Sequence, residues 1–153
     1  MIIESALRAI IIADNGVKAV TTRCYYNYIP QSPTYPLIVI QRVTGSRVHH
    51  LSGPSGAVRP RFQIEAWAET YSAAKGLANL IRAALDGKEY TTDETAINRI
   101  TEAGDTRITE AGDTLIIEDG VKFSCLSQAE IDGYEEAVNA HRIIQDYSVR
   151  YTE

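Results

Sequence analysis

Residues 58–87 read VRPRFQIEAWAETYSAAKGLANLIRAALDG, and their hydrophobic period changes halfway along the stretch. Up to position 68 apolar and polar residues alternate, which predicts a half-buried β-strand. One face of that strand carries the apolar residues Val58, Phe62, Ile64, Ala66 and Ala68. The other face carries the polar residues Arg59, Arg61, Gln63 and Glu65.

From position 71 the apolar residues recur at intervals of three and four, which predicts an amphipathic helix. Its apolar stripe consists of Tyr71, Ala74, Leu77, Ala78, Ile81, Ala84 and Leu85. Thr70 or Ser72 is expected to cap the start of this helix, and Gly87 to end it in the left-handed conformation. Only residues 69–70 separate strand from helix, and neither element buries its apolar face alone. We therefore predict that the helix lies across one face of an antiparallel sheet built around the strand.

The composition is that of an ordinary globular protein, with 44% hydrophobic and 23% charged residues, and it predicts one domain over residues 1–153. A net charge of −5 argues against a general grip on nucleic acid, because such binding neutralises phosphates with Lys and Arg. Cys24 and Cys125 fit neither a disulfide framework nor a metal motif, so we expect free, buried thiols. The first 16 residues are apolar but carry Glu4 and Arg8, so we expect neither a signal peptide nor a membrane span.

The segments before position 58 predict a helix, strands and a hairpin. Apolar spacing predicts the helix over residues 2–13, ended by the turn-forming Asp14, Asn15 and Gly16. Further along we expect a strand at 23–28, a proline-rich loop at 29–36 and a buried strand at 37–43. These are followed by a turn or bulge at 44–46, a short strand at 47–51 and a flexible tip at 52–56. Residues 37–51 and 58–68 should thus form a hairpin with a long tip loop, and Pro60 should lie at a sheet edge or a bulge.

After position 87 the chain repeats itself. Residues 88–98 are predicted to be irregular, and the octapeptide RITEAGDT at 99–106 recurs at 107–114, with a degraded copy at 115–120. We interpret 99–120 as an insertion in a surface loop, where such a duplication is tolerated. The rest of the chain is predicted to form a strand at 121–126, a short helix within 127–141 and a last strand at 142–151. The predicted class is α+β: a mostly antiparallel sheet of about four to five strands, with the N-terminal and central helices on one face.

No pattern in the chain specifies catalysis, a cofactor or a metal. His49 and His50 are adjacent, so on a strand they point to opposite faces and cannot act as a ligand pair. The repeated Asp-Gly neighbours are more typical of turns than of a calcium site, which needs six or more oxygens. Trp67 interrupts the polar face of the central strand. It is expected either to be covered by a loop or to contact a neighbouring subunit.

Four segments together resemble a known family. They are IESALRAIIIAD at 3–14, CYYNYIPQSPTYPLIVIQRVTG at 24–45, LSGPSG at 51–56 and RFQIEAWAETYSAAKGLANLIRAALDG at 61–87. In these the chain resembles the tail completion proteins of tailed phages, also described as tail terminators or tail-to-head joining proteins. The resemblance extends over residues 2–87 and, more loosely, the last strand. The repeat departs from the family pattern.

The resemblance implies a structural protein of a phage or prophage, without enzymatic activity or cofactor. It implies a homo-oligomeric ring, expected to be a hexamer, that caps the head-proximal end of the tail tube. The expected partners are further copies of the chain, the tail tube protein and the head connector protein, with DNA only in passage and no membrane. The expected location is the virion tail, and the host cytoplasm during assembly. An acidic protein would suit a lumen through which DNA slides, because it repels phosphates.

Candidate interface residues follow from residue type. Nine tyrosines accompany only two phenylalanines, and tyrosine suits both protein interfaces and half-buried sheet edges. The candidates for contact with subunits or partners are Tyr25, Tyr26, Tyr28, His49, His50, Trp67, Arg99 and Arg107. The alternative interpretation is a small ligand-binding or enzymatic α+β domain. Its site would lie in a sheet–loop cleft around Tyr25, Tyr28, His49 and Trp67.

Overall fold

A computed structural model of the protein describes residues 3–92 and 121–152. In chain order its elements are α1 (Ile3–Ala13), α2 (Asn15–Val20), β1 (Cys24–Tyr26), β2 (Leu37–His50), β3 (Gly53–Ala68), α3 (Tyr71–Leu85), β4 (Lys88–Thr92), β5 (Val121–Glu135) and β6 (Ala140–Thr152). The α+β class is therefore confirmed. The repeat at 99–120 and its interpretation as an insertion lie outside the described residues. Among the described helices, none is long and apolar enough to cross a membrane.

The strands form a single mixed sheet in the order β1-β2-β3-β6-β5-β4. It has six strands, more than the four or five expected, and β1 pairs parallel to β2 while the other pairs are antiparallel. The additional strand is β4, where an irregular segment was predicted. Its sequence KEYTT is mostly polar, but Tyr90 stacks beside Phe123 with ring centroids 5.7 Å apart. One aromatic contact and pairing with β5 are enough to hold this short edge strand.

The alternating segment at 58–68 belongs to β3, which lies inside the sheet between β2 and β6. Its predicted faces are confirmed, because Phe62 and Ile64 are fully buried while Arg59 and Arg61 are exposed. Helices α1 and α3 cover the buried face, and their apolar stripes join it in one core. The predicted pairing of helix and sheet is thus confirmed.

The ends of the helices follow the predicted capping residues. Thr70 Oγ1 accepts a hydrogen bond from the Ala73 amide at 3.3 Å, and Gly87 takes a φ of +68°. The predicted turn after α1 instead starts a second short helix. Asp14 Oδ1 accepts from the amides of Gly16 and Val17 at 2.9 and 3.1 Å, which caps α2.

The β2–β3 hairpin is longer and tighter than predicted. The ladder continues to His50 opposite Gly53, so only residues 51–52 connect the strands, and the expected long tip loop at 52–56 is wrong. Gly53 has a φ of +137°, which permits this sharp reversal. A bulge is present, but it precedes the predicted 44–46, at the register shift between Arg42 and Thr44. Pro60 lies beside that bulge on an interior strand.

The predicted short helix within 127–141 is wrong, because β5 runs on to Glu135 and turns directly into β6. A register shift between Ser127 and Ala129 interrupts the alternation of β5. Beyond it Ile131 and Tyr134 lie three residues apart, on opposite faces of the strand. A spacing of three imitates a helical stripe, which explains the error.

Candidate interaction surfaces

The sheet has one face covered by helices and one without them, which we call the open face. Strand alternation assigns it Arg59, Arg61, Gln63, Glu65 and Trp67 of β3, Arg142, Ile144, Asp146, Ser148 and Arg150 of β6, and Lys122, Ser124, Leu126 and Ile131 of β5. Exposed apolar groups on this face include Ile131, which is 57% exposed and lies on the part of β5 that β4 does not pair with.

One end of the open face is closed by the chain itself. Trp67 packs with Leu37, Val39 and Ala140 beneath Tyr25 of β1 and beneath Ile29 and Tyr35 of the proline-rich loop. Its Nε1 donates to Glu65 Oε2 at 2.8 Å, and the Arg142 guanidinium lies 5.6 Å from the ring centroid. Trp67 is only 3% exposed, so the covering loop is the interpretation that is confirmed. The indole leaves little surface for another subunit.

The three candidate tyrosines do not share one surface. Tyr25 and Tyr28 lie together with ring centroids 6.2 Å apart, and Tyr28 is 62% exposed. Tyr26 instead packs against the core beneath α1, where its hydroxyl donates to the Glu4 carbonyl at 3.4 Å. Tyr25 and Tyr28 therefore remain available to a partner, whereas Tyr26 positions α1.

The candidate histidines lie at the far tip of the hairpin. His49 faces Pro54, whereas Tyr25 pairs with Val39, ten residues earlier on β2. At about 3.3 Å per residue this separation is about 30 Å. The cleft proposed around Tyr25, Tyr28, His49 and Trp67 is therefore not formed. Arg99 and Arg107 lie outside the described residues.

The opposite end of the open face holds a groove of about 600 Å³ that the sequence analysis missed. Its charged lining includes Arg59, Lys122 and Arg150, which define the basic groove. All three are exposed, and none forms an ion pair with a described residue. Glu89 on β4 also lines the groove.

Strand register brings these cations together. Val58 pairs with Tyr151, which aligns the neighbouring Arg59 with Arg150, and Arg150 pairs with Ser124. Directly opposed side chains lie about 5 Å apart at Cβ, where like charges destabilise a sheet. The nearest acid on the same face of β6, Asp146, is already ion-paired with Arg61. The basic groove therefore keeps an excess of positive charge, with three cations against Glu89.

A second polar cluster joins α3 to the sheet. Lys75 Nζ hydrogen-bonds to Glu130 and lies 3.1 Å from Asp132 Oδ1, while Gln145 Nε2 donates to Glu130 Oε2 at 2.7 Å. Hydrogen bonds from Lys75 and Gln145 hold the pKa of Glu130 below its usual range. The Tyr71 hydroxyl, at 2.7 Å, and Lys75 do the same for the pKa of Asp132. Both carboxylates are fully partnered, so this cluster serves to anchor the helix.

The two cysteines are free and buried, as predicted. Burial raises the pKa of Cys24 and of Cys125 to about 12. Both therefore stay protonated and unreactive at neutral pH. Over residues 3–92 and 121–152, no group of three or more His, Cys, Asp or Glu side chains is placed to hold a metal ion.

Comparisons with known proteins agree with the resemblance found in the sequence. A family model described as "Tail completion protein gp17" matches residues 5–123, well over half of the chain. Among 26 matching chains of solved structures is one from the "Virion of native gene transfer agent (GTA) particle". It is 14% identical, with a TM-score of 0.58 over 97% of this chain and 94% of that chain, which shows a shared fold. No curated protein matches. The match over residues 5–123 places this chain in the tail completion protein gp17 family.

Proposed function

We propose that this protein forms a ring, expected to be a hexamer, that caps the head-proximal end of a phage tail tube and joins the tail to the head. The observation that carries the proposal is membership in a family of phage tail completion proteins. The fold shared with a chain of a phage-like virion particle supports it. The proposed partners are the tail tube protein and the head connector protein.

The sheet offers an edge suited to assembly. β1 covers the outer side of β2 only from Ile38 to Ile40, so residues 41–50 have no partner strand on that side in the described part of the chain. Unpaired strand edges of this length readily pair with another chain. The exposed tip at His49 and His50 extends the same edge. A hairpin of this kind supports contact with a neighbouring subunit or with the tube.

The charge distribution bears on the passage of DNA. Residues 93–120 hold eight of the 20 acidic residues and only two of the 15 basic ones, so they account for the net negative charge of the whole chain. The acidic-lumen hypothesis is part of the proposal, and a basic inner wall in an assembled ring would contradict it.

The proposal is tested on tail tubes assembled in vitro from the tube protein of the same phage. Tubes are incubated with the purified chain and viewed by negative-stain electron microscopy, with an unrelated acidic protein of similar size as control. We expect a sixfold ring at one end of each tube, and no further elongation at that end when tube protein is added. Binding along the tube wall, or unchanged elongation at both ends, would contradict the proposal.

A further inference from the structure

We propose that the basic groove receives an acidic end of a second copy of this chain, so that neighbouring subunits join end to end along the strand direction. The acidic end is defined by Glu69, Glu135 and Glu136, at the far end of the sheet. This inference rests on the proposed ring and specifies the contact that builds it.

The basic groove has an excess of positive charge that the described part of the chain does not neutralise. Arg59 and Arg150 are aligned on adjacent strands, and Lys122 is exposed close by on β5. A folded chain keeps such a like-charge pair at a cost, and an anion supplied from outside relieves it. Glu89 interrupts the cationic lining, and Ser124 adds an uncharged polar group to it. A mixed lining of this kind suits a protein surface better than a continuous phosphate backbone.

The acidic end combines carboxylates with exposed aromatic rings. Glu69 and Glu136 make no ion pair with a described residue. Glu135 makes one long ion pair, with its Oε2 3.9 Å from Nη2 of Arg142. Beside them lie two exposed tyrosines: Tyr134 is 51% exposed and Tyr71 is 46% exposed.

Both tyrosine rings pack on one imidazole. The ring centroids of Tyr134 and Tyr71 lie 4.9 and 6.0 Å from that of His141. Aromatic groups held rigidly beside carboxylates are typical anchors of protein interfaces. The acidic end therefore carries both the charge and the aromatic surface that the basic groove would accept.

The basic groove and the acidic end lie far apart within one chain. Glu135 pairs with Ala140 at the start of β6, ten residues before Arg150. This corresponds to about 30 Å along the strand, well beyond the Debye length of about 8 Å at physiological ionic strength. The charges of one chain cannot neutralise each other. In an end-to-end pair of chains they meet, and contacts between two different surfaces build rings when the rotation closes.

The test uses charge reversal at each end of the full-length chain. The groove variant is Arg59→Glu with Arg150→Glu, and the acidic-end variant is Glu135→Lys with Glu136→Lys. The matched control reverses two exposed cations elsewhere, Lys18→Glu with Arg23→Glu. Thermal melting first establishes that all variants are folded, and sedimentation velocity at low salt then measures association, with and without tail tubes.

We expect wild type and control to assemble, and each end variant alone to associate at least about tenfold more weakly, because its interface now opposes like charges. An equimolar mixture of the two end variants should assemble again, since each mismatched end then meets an opposite charge. If both end variants assemble like wild type, this contact is wrong while the ring stands. If wild type assembles in neither condition, both proposals fail.

Two further outcomes are decisive. Failure of the mixture to assemble, with both end variants folded, overturns the charge pairing. A groove variant that assembles normally but loses the binding of a 20-base-pair DNA duplex, measured by fluorescence anisotropy, would assign the groove to nucleic acid instead.

Discussion

Replacing Gln145 with leucine should destabilise the protein by about 3 kcal/mol, because its amide organises the buried contact between α3 and the sheet. Gln145 is 1% exposed, donates to the Ala78 carbonyl at 3.0 Å and to Glu130 at 2.7 Å, and accepts from the Tyr147 hydroxyl at 2.9 Å. Leucine removes all three hydrogen bonds. It also leaves the hydroxyl of the fully buried Tyr147 without its partner.

The magnitude follows from these contacts. A neutral hydrogen bond contributes about 1 kcal/mol net, a bond to a carboxylate about 1.5–3 kcal/mol, and an orphaned buried hydroxyl costs about 1–3 kcal/mol. The greater apolarity of leucine offsets part of the loss. Tyr147→Phe alone should cost about 1 kcal/mol, but in the Gln145→Leu background it should cost little or even stabilise, because it removes the orphaned hydroxyl.

The assay is equilibrium unfolding in urea, followed by the fluorescence of Trp67, which is the single tryptophan of the chain and is buried beneath its loop. The double-mutant cycle should give a coupling of about 1–2 kcal/mol with unchanged m-values. If the two substitutions are additive within about 0.5 kcal/mol, the buried network does not act as a unit and the reasoning fails.

Three further perturbations probe other parts of the fold. Ile64→Ala should cost about 2–5 kcal/mol in urea unfolding, because Ile64 is 1% exposed; a near-neutral value would mean that the faces of β3 are reversed. Deletion of residues 107–114 is predicted to leave the melting temperature nearly unchanged, and a loss of several degrees would show that the repeat is packed. The pKa of Glu130 is lowered in the folded state, so its contribution is present above its usual value of 4.5 and is lost as the pH falls below it. Stability should therefore fall less between pH 5 and 3 in Glu130→Gln than in wild type, as measured by urea midpoints; equal slopes would count against this account.

The elements that could be predicted from sequence are those whose signal is local. The stretch from Val58 to Leu85 places an alternating strand directly before a helical stripe, and each pattern is complete within a few turns or pleats. Strand β4 gave no such signal, because its five mostly polar residues are held by pairing with a strand beyond position 120. The second half of β5 was not predicted to be a strand, because a bulge shifts the alternation of its apolar residues.

The candidate surface was harder to predict than the fold, since residue type does not determine placement. Tyrosine and histidine suggested one cleft, but Tyr25 and His49 lie at opposite ends of β2. The basic groove brings together Arg59 and Arg150, which are 91 positions apart in sequence and become neighbours only through the β3–β6 register. No local pattern marks such a pair.

Net charge does not describe the local surface, for a related physical reason. The value of −5 describes the whole chain, but the acidic excess resides in residues 93–120, and the described residues carry 13 basic against 11 acidic side chains. A partner senses the potential within about one Debye length of its contact, and not the total charge. The surface that we propose for assembly is therefore one where Arg59, Lys122 and Arg150 outnumber Glu89, on a protein whose overall charge has the opposite sign. In that proposal, local complementarity favours the association of two chains even though their net charges repel. Net charge alone predicts that salt strengthens assembly, whereas local charge pairs alone predict that salt weakens it. Because moderate salt screens the long-range repulsion before the close contacts, it should weaken assembly less than the local charge pairs alone would suggest.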